Sequence, residues 1–320
     1  MTHDAPGPPM VVRSSGDFVA FVPAALGFVP ADSLVMLTFD KAGMSFHARV
    51  DHDADDPDAV AQVLLRPALR HRITAVVFLL YVPADSPSVE PLAWLLRDTF
   101  MDAGIECIDF LRVTSTHWFA VLPGHEPSAY EGIAHDVSSH RFTAQSVVAG
   151  RVQFPDRLAL AASVECGEVD PDAFAERMWQ ATVLSPDALA RVVARRANGG
   201  DIFTDAELSN VVLSVVEGHR RDRVWTTMDR SAARQAVELW RNAVQRVPDP
   251  WCADICAVLG FIAWLCGDGA LAWCAVARTY RVAPEHTLAA LVADLLDQAT
   301  HPDEWERWRN LLHDQGGPAA

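Results

Sequence analysis

Residues able to do chemistry are spread thinly along this 320-residue chain. Near the N-terminus, Asp17, Asp32 and Ser33 bracket a segment, Gly27–Ser33, that holds a glycine and a proline. A serine nucleophile needs a base within hydrogen-bond reach and donors for the developing oxyanion. The G-x-S-x-G turn that presents such a serine does not surround Ser33. A turn serine bonded to local backbone, with Asp32 doing the same, is the plainer expectation.

Asp51, Asp53, Asp55, Asp56 and Asp58 could gather a hard cation. A calcium loop of the EF-hand kind needs Gly at its sixth place and Glu at its twelfth. Counted from Asp51 those places hold Asp56 and Gln62, so a solvated loop is expected instead. Cys252, Cys256, Cys266 and Cys274 cluster late in the chain, but only the first pair has zinc-knuckle spacing. Small buried thiols are the better expectation.

His219-Arg220-Arg221-Asp222-Arg223, with Arg191, Arg195 and Arg196, is the densest basic stretch. It could grip a phosphate or an acidic partner, or pair with neighbouring carboxylates. Arg221 and Asp222 are the binding candidates here, and Asp222 is expected in a buried ion pair that orients its helix. His117-Trp118 and His135–His140 have no metal spacing, and no G-x-G-x-x-G, Walker A or H-E-x-x-H motif occurs. No cofactor is expected. The tryptophans are either core or interface anchors; core is expected for Trp264 and Trp273, and less so for Trp305 and Trp308 near the end.

The elements that must position these residues can be read from caps and periodicity. Ser14 to Asp17 opens a helix through Leu26, kinked or shortened by Pro23 and stopped at Gly27. Ser33–Phe39 and Met44–Asp51 form a hairpin. Asp56-Pro57 starts a helix with Val60, Val63, Leu64 and Ala68 inward. Ile73–Val82 is apolar on both faces, a strand with helices on each side. A helix over Pro91–Ala103 and a second hairpin, Glu106–Val113 with His117–Leu122, complete a mixed sheet that is not a strict Rossmann alternation.

After about residue 140 helix caps repeat. Asp170-Pro171, Ser185-Pro186 and Asp249-Pro250 each pair an N-cap with Pro, and Thr204-x-x-Glu207 is a capping box. Helices are expected near 171–183, 186–197, 205–217, 230–246, 250–266, 269–281, 285–298 and 302–313. The division is therefore an α/β domain over 1–160 and an all-α domain over 161–320.

Composition bounds the function. Half the residues are hydrophobic, so a sizeable core forms and whole-chain disorder is excluded. The net charge of −16 repels phosphate backbones, making nucleic acid an unlikely partner without a concentrated basic patch. The longest apolar runs are too short or interrupted to span a bilayer, and Met1–Met10 lacks the order of a signal peptide. A cytoplasmic location follows as the expectation, with the six cysteines reduced.

The segment Gly16-Asp17-Phe18, with Val22-Pro23-Ala24-Ala25-Leu26-Gly27-Phe28-Val29-Pro30-Ala31-Asp32-Ser33-Leu34-Val35, resembles the opening of an actinobacterial family. That family is a domain of unknown function, number four-one-nine-two. Gly150 with Arg157, Arg221-Asp222, and Ala263-Trp264-Leu265 with Gly267-Asp268-Gly269-Ala270 also fit it, as do Pro284 and Leu288–Leu291. The resemblance adds Arg157 to the binding candidates and implies no activity. Leu259, Gly260, Ala272 and Pro284 resemble one tetratricopeptide repeat, with Cys256, Ala263 and Thr279 departing from it; plain helix-hairpin packing explains the same residues.

Two functions are carried forward. The first is a non-enzymatic interaction or regulatory module with a protein partner, because no catalytic constellation is evident. The second is a small-molecule-binding or hydrolytic enzyme with its pocket at the Gly27–Ser33 loop, using Asp17, Asp32 and Ser33.

Overall fold

The first helix shows how local chemistry sets this fold. In the computed structural model, residues 12–309 are described except 42, 53–55, 87, 149–152, 227 and 306. Asp53, Asp55, Gly150 and both chain ends thus lie outside the described residues, as does part of the expected 302–313 helix. α1 (Ser15–Leu26) begins where the Ser14 hydroxyl accepts from the Asp17 N–H at 3.2 Å, and closes on Gly27 at φ 76°. Pro23 does not shorten it. Proline has no N–H for the Val19 carbonyl, and the Tyr81 hydroxyl donates to that oxygen at a long 3.5 Å.

Two compact units divide the chain, Met1–Arg157 and Leu158–Ala320. In the first, β1 (Ser33–Asp40) and β2 (Gly43–Asp51) form the expected antiparallel hairpin. α2 (Pro57–Arg70) starts with the Asp56 carboxylate accepting from the Ala59 N–H at 2.9 Å. β3 (Ala75–Tyr81) is buried along its whole length, antiparallel to β1 and parallel to β4 (Glu106–Val113). A parallel pair needs a crossover, which α3 (Glu90–Asp102) supplies. β5 (His117–Ala120) pairs antiparallel with β4, and a two-residue β6 (Ile133–Ala134) that the sequence did not announce pairs with β5. The mixed sheet has the order β2-β1-β3-β4-β5-β6.

Side chains alternate across this sheet. Leu34, Met36, Val76, Phe78, Leu80 and Phe110 join Leu64, Ala68, Leu96 and Phe100 of α2 and α3 in one core. On the opposite face, Tyr81 reaches α1, and Phe21 of α1 meets Phe142 edge to face at 5.9 Å. Phe142 belongs to α5 (Arg141–Val148), which follows the short α4 (Pro127–Glu131). One expectation fails in α2: Val63 is 56 % exposed, while Ala61 and Leu65 turn inward. The buried stripe is Ala61-Leu64-Leu65-Ala68, with Val60 partly buried and packed beside it.

The second unit is helical. α6 (Arg157–Ala162) leads into α7 (Pro171–Gln180), α8 (Pro186–Gly199), α9 (Asp205–Val215) and α10 (Gly218–Thr226), followed by α11 (Arg230–Gln245), α12 (Ala253–Cys266), α13 (Gly269–Val282) and α14 (Thr287–Asp297). Asp170, Ser185 and Asp229 cap α7, α8 and α11 by accepting backbone N–H bonds, and Thr204 with Glu207 makes the expected capping box on α9. α12 is apolar all round and almost wholly buried. A helix without a polar face must sit at the centre of a bundle. Gly260 faces α13, where a Cβ would meet Val276, Ala272 and Ala275 at 3.5–3.7 Å, an ordinary contact distance.

Asp249 does not cap α12, which starts later, at Ala253. Its carboxylate instead accepts from Arg278 Nη2 at 3.1 Å and from Cys252 Sγ at 3.0 Å. Arg278 is 1 % exposed, and its guanidinium also donates to the carbonyls of Val164, Val244 and Val247 at 2.6–2.8 Å. One buried cation thereby satisfies the chain end of α11 and two loops. Two tryptophans depart from expectation, Trp273 being 38 % exposed and Trp305 buried, whereas Trp264 is buried and Trp308 exposed as read. Trp305 is inward because its indole N–H donates to the Met228 carbonyl at 2.8 Å and its ring meets Phe261. No helix among the described residues is long and apolar enough to cross a membrane.

Arg278→Ala leaves three buried carbonyls without donors and is expected to cost about 3–5 kcal/mol of stability, measured by urea unfolding. An effect below about 1 kcal/mol would show that the guanidinium is not what holds these loops.

Burial tends to raise the Glu207 carboxyl, but the Thr204 N–H, the Arg196 guanidinium and the Thr204 hydroxyl outweigh it and hold the group below the usual range. A folded value below the unfolded one stabilises the fold at neutral pH, and that contribution is lost as pH falls through the folded value. The stability gap between wild type and Glu207→Gln is expected to shrink between about pH 5 and pH 3; a gap constant with pH would refute the assignment.

Candidate functional site

Hydrogen bonds hold the Gly27–Ser33 loop at both ends. Ser33 is fully buried; its hydroxyl donates to the Ala31 carbonyl and accepts from Arg49 Nε at 3.0 Å and Nη2 at 2.6 Å. A guanidinium is a donor only and cannot take the serine proton. Asp32 is exposed at φ 44°, with its carbonyl accepting from the His52 N–H at 2.9 Å. Phe28 is buried, and the Phe154 N–H donates to the Gly27 carbonyl at 2.7 Å. The Ser33 hydroxyl is therefore occupied with the Ala31 carbonyl and Arg49, while Asp32 is exposed and held through its backbone.

A cavity of about 670 Å³ lies at the opposite end of α1, the N-terminal end, and Asp17 lines it. Behind two of its lining residues, Ser15 and His125, is Asp109, a residue the sequence reading passed over. It is 3 % exposed, accepting from the Ser15 hydroxyl at 2.9 Å and from His125 Nε2 at 3.0 Å. A register shift in β4 aims it there. Val76 pairs with Cys107 but Val77 pairs with Asp109, so Ile108 is an extra residue. This bulge reverses which residues face α1, putting Cys107 toward the α2–α3 core and Asp109 toward α1.

The loop holding His125 is pinned by Tyr130 of α4. The Tyr130 hydroxyl donates to the Leu122 carbonyl and accepts from the His125 N–H, each at 3.1 Å. Because His125 Nε2 faces a carboxylate, Nε2 carries the proton, and Nδ1 of the neutral ring is left as an acceptor.

Two more histidines line the cavity. His140 Nε2 lies 3.2 Å from Asp17 Oδ1, and Arg141 Nη2 donates to Asp17 Oδ2 at 2.9 Å. The Phe142 N–H donates to His140 Nδ1 at 3.3 Å, so both of its nitrogens are committed. His135 donates from Nε2 to the Thr114 carbonyl at 3.0 Å, while its Nδ1 is buried without a partner. Gly132 makes the turn that brings His135 in. It stands at φ 109°, and a Cβ there would lie 2.5 Å from the Phe119 ring.

Serine, carboxylate and imidazole thus meet, but in an order unlike a nucleophilic triad. The carboxylate lies between Ser15 and His125, so the imidazole does not touch the serine. Cys107 on the same strand is no nucleophile, since burial, aided by the Asp109 charge, pushes its thiol up to about 12.

The remaining candidates are held by ion pairs. Arg157 lies 3.4 Å from Asp51, both exposed. Asp222 is not in a buried pair, because its side chain is 45 % exposed and bonded to Trp225 Nε1 and Arg221 Nε. The buried pair is Arg221 with Asp254 at 2.9 Å, and His286 Nε2 meets the same Asp254 oxygen at 3.0 Å. Asp254 was the better partner because it projects from the first turn of α12 into the bundle. Arg195 and Arg196 bind Glu207, Arg220 binds Glu217, and Arg223 lies 3.6 Å from Asp187. Cys256 is pushed up by its contact with Cys252 and by burial.

Among relatives, the family model for a Domain of unknown function (DUF4192) matches residues 16–303, and the chain belongs to that family. The matched range begins at Gly16, in the wall of the cavity. No curated protein and no solved structure matches the chain.

Gly132→Ala is expected to cost about 1–3 kcal/mol, from a non-glycine residue in a sparsely populated conformation and a clash with Phe119. Thermal unfolding measures it; a wild-type midpoint would mean the turn does not constrain His135.

Proposed function

We propose that the N-terminal unit of this DUF4192-family chain binds a small polar molecule and exchanges a proton with it, with His125 as the base. The observation that carries the proposal is Asp109, a carboxylate 3 % exposed and bonded to both Ser15 and His125. Burying a charge is costly, and it persists here only with its partners in place. Asp109 holds the His125 ring in one tautomer and balances the positive charge the ring gains when Nδ1 takes a proton. The Ser15 hydroxyl, donating to the far oxygen of Asp109, is a positioning group. The attacking group in a hydrolytic reaction would then be water rather than serine. This moves the enzymatic alternative away from the Gly27–Ser33 loop.

A second reading is a non-enzymatic module that docks a protein through the helical unit. Trp179 on α7 favours it, since its side chain is 90 % exposed and large exposed aromatics are typical interface anchors. A cytoplasmic site of action fits either reading, because no disulfide joins the described cysteines.

A panel of small esters, amides and phosphate esters, assayed between pH 5 and 9, separates the two. Under the first reading one class is turned over, and His125→Ala lowers the rate roughly 10²–10⁴-fold; because Asp109 also loses a partner, the rates are compared well below the variant's own lowered melting midpoint. Absence of turnover by the wild type, or equal turnover by the variant, favours the docking module.

A further inference from the structure

We infer that the α1 end of the cavity is an oxyanion hole, in which the Gly16 backbone N–H and the Trp118 indole N–H hold the carbonyl oxygen of an uncharged carboxylic ester or amide. The inference rests on His125 acting as the base and names the substrate class. One observation comes from the helix and a second from the strand beside it.

The first turn of a helix carries N–H groups that have no intrahelical partner. In α1 the Ser14 hydroxyl accepts from the Asp17 N–H. The Ser15 and Gly16 N–H groups make no hydrogen bond among the described residues, and both residues line the cavity.

The strand supplies a side-chain donor. Trp118 of β5 is 7 % exposed, yet its Nε1–H makes no hydrogen bond among the described residues. A buried indole N–H ordinarily finds a partner. Trp264 and Trp305 each donate to a backbone carbonyl, and Trp225 donates to Asp222. Trp240 Nε1 is unpaired but sealed off, whereas Trp118 Nε1 is not among the sealed atoms and keeps accessible surface. Trp118 lines the cavity, and a Cβ on Gly16 would stand 3.8 Å from its Nε1. The indole N–H therefore lies beside the open end of α1, where glycine leaves room for a ligand atom. The base is tied to the same place. Ser15, next to Gly16, donates to one oxygen of Asp109, and His125 Nε2 meets the other.

Charge then selects among oxygen acceptors. Glu126 and Asp136 line the cavity, exposed and without an ion pair among the described residues. They repel a phosphate or carboxylate ligand. A carbonyl oxygen arrives uncharged and becomes negative only as its carbon is attacked, which is when preorganised donors act most strongly. Water loses a proton to His125 Nδ1 as its oxygen bonds to the carbonyl carbon, and the π pair moves onto the carbonyl oxygen. Return of that pair breaks the bond to the alcohol or amine, which leaves with the proton from His125. One water is consumed, and a carboxylic acid is formed.

Two esters with one leaving group, 4-nitrophenyl acetate and 4-nitrophenyl phosphate, are compared on the full chain. The acetate is expected to be hydrolysed saturably, and the phosphate not. Trp118→Phe keeps a ring and removes no hydrogen bond of the fold. It is expected to lower kcat for the acetate about 10²-fold while KM changes less than about threefold. Should that variant unfold, the wild type labelled with ¹⁵N-tryptophan is titrated with 4-nitrophenylacetone, a ketone that cannot be hydrolysed. One of the ten indole N–H signals is then expected to move downfield saturably. Acetate hydrolysis that needs His125 but has an unchanged kcat in Trp118→Phe, or a ketone that moves no indole signal, overturns the oxyanion hole and leaves His125 as the base. Hydrolysis of the phosphate, alone or alongside the acetate, overturns the substrate class and also leaves the base. Acetate hydrolysis that His125→Ala leaves intact, or no hydrolysis of either ester, overturns the base as well.

Discussion

A carboxylate in the interior of a sheet has to be satisfied on both oxygens, and much of the N-terminal unit is arranged around doing that for Asp109. One oxygen takes the Ser15 hydroxyl, which requires α1 to begin where it does. The other takes His125, which requires the Leu122–Tyr130 turn to close over the end of β4. The bulge at Ile108 sets the direction, since without it the Asp109 position would face the apolar core under α2 and α3. Loss of any one of these partners strands a buried charge, so start of helix, bulge and turn are energetically coupled.

The helical unit solves the opposite problem with the same physics. Arg278 is a buried cation, and its donors are distributed over three carbonyls and the Asp249 carboxylate. Three of those acceptors belong to segments that leave or precede helices, where carbonyls have no intrahelical partner. Arg221 with Asp254 repeats the device, and His286 adds to it while capping α14 through Nδ1. Each unit thus carries a charged group in its interior bonded to several separate elements at once, which favours one arrangement of those elements over its competitors.

Much of the fold was legible because helix starts and hairpins are local. Ser14, Asp56, Asp170, Ser185 and Thr204 each cap the helix that follows within three residues, and the Ser33–Asp51 hairpin is closed by its own turn. Two of the misassignments share a cause. Asp249 and Asp222 were judged from their acidic and basic neighbours in the chain, while Arg278 takes Asp249 and the cation near Asp222, Arg221, turns to Asp254 33 residues away. The candidate site was barely legible. Asp17 was recognised as a polar group at a helix start, but Ser33 was weighed for a role its burial against Arg49 denies. The one signal for Asp109 was a lone charge in an apolar strand, Ile108-Asp109-Phe110-Leu111, where a charge is rarely buried unless paired.

The amino-acid sequence alone settled the class of each half, an α/β unit followed by helices, together with most caps and the family. These depend on periodicity and on contacts over a few residues, which any chain of this sequence makes in the same way. Tertiary structure decided the site: Ser15 meets Asp109 across 94 residues and His140 meets Asp17 across 123. Such encounters depend on strand order, on a single bulge and on where turns close. No local preference encodes them, because each is fixed by burial of the whole core rather than by the residues that meet.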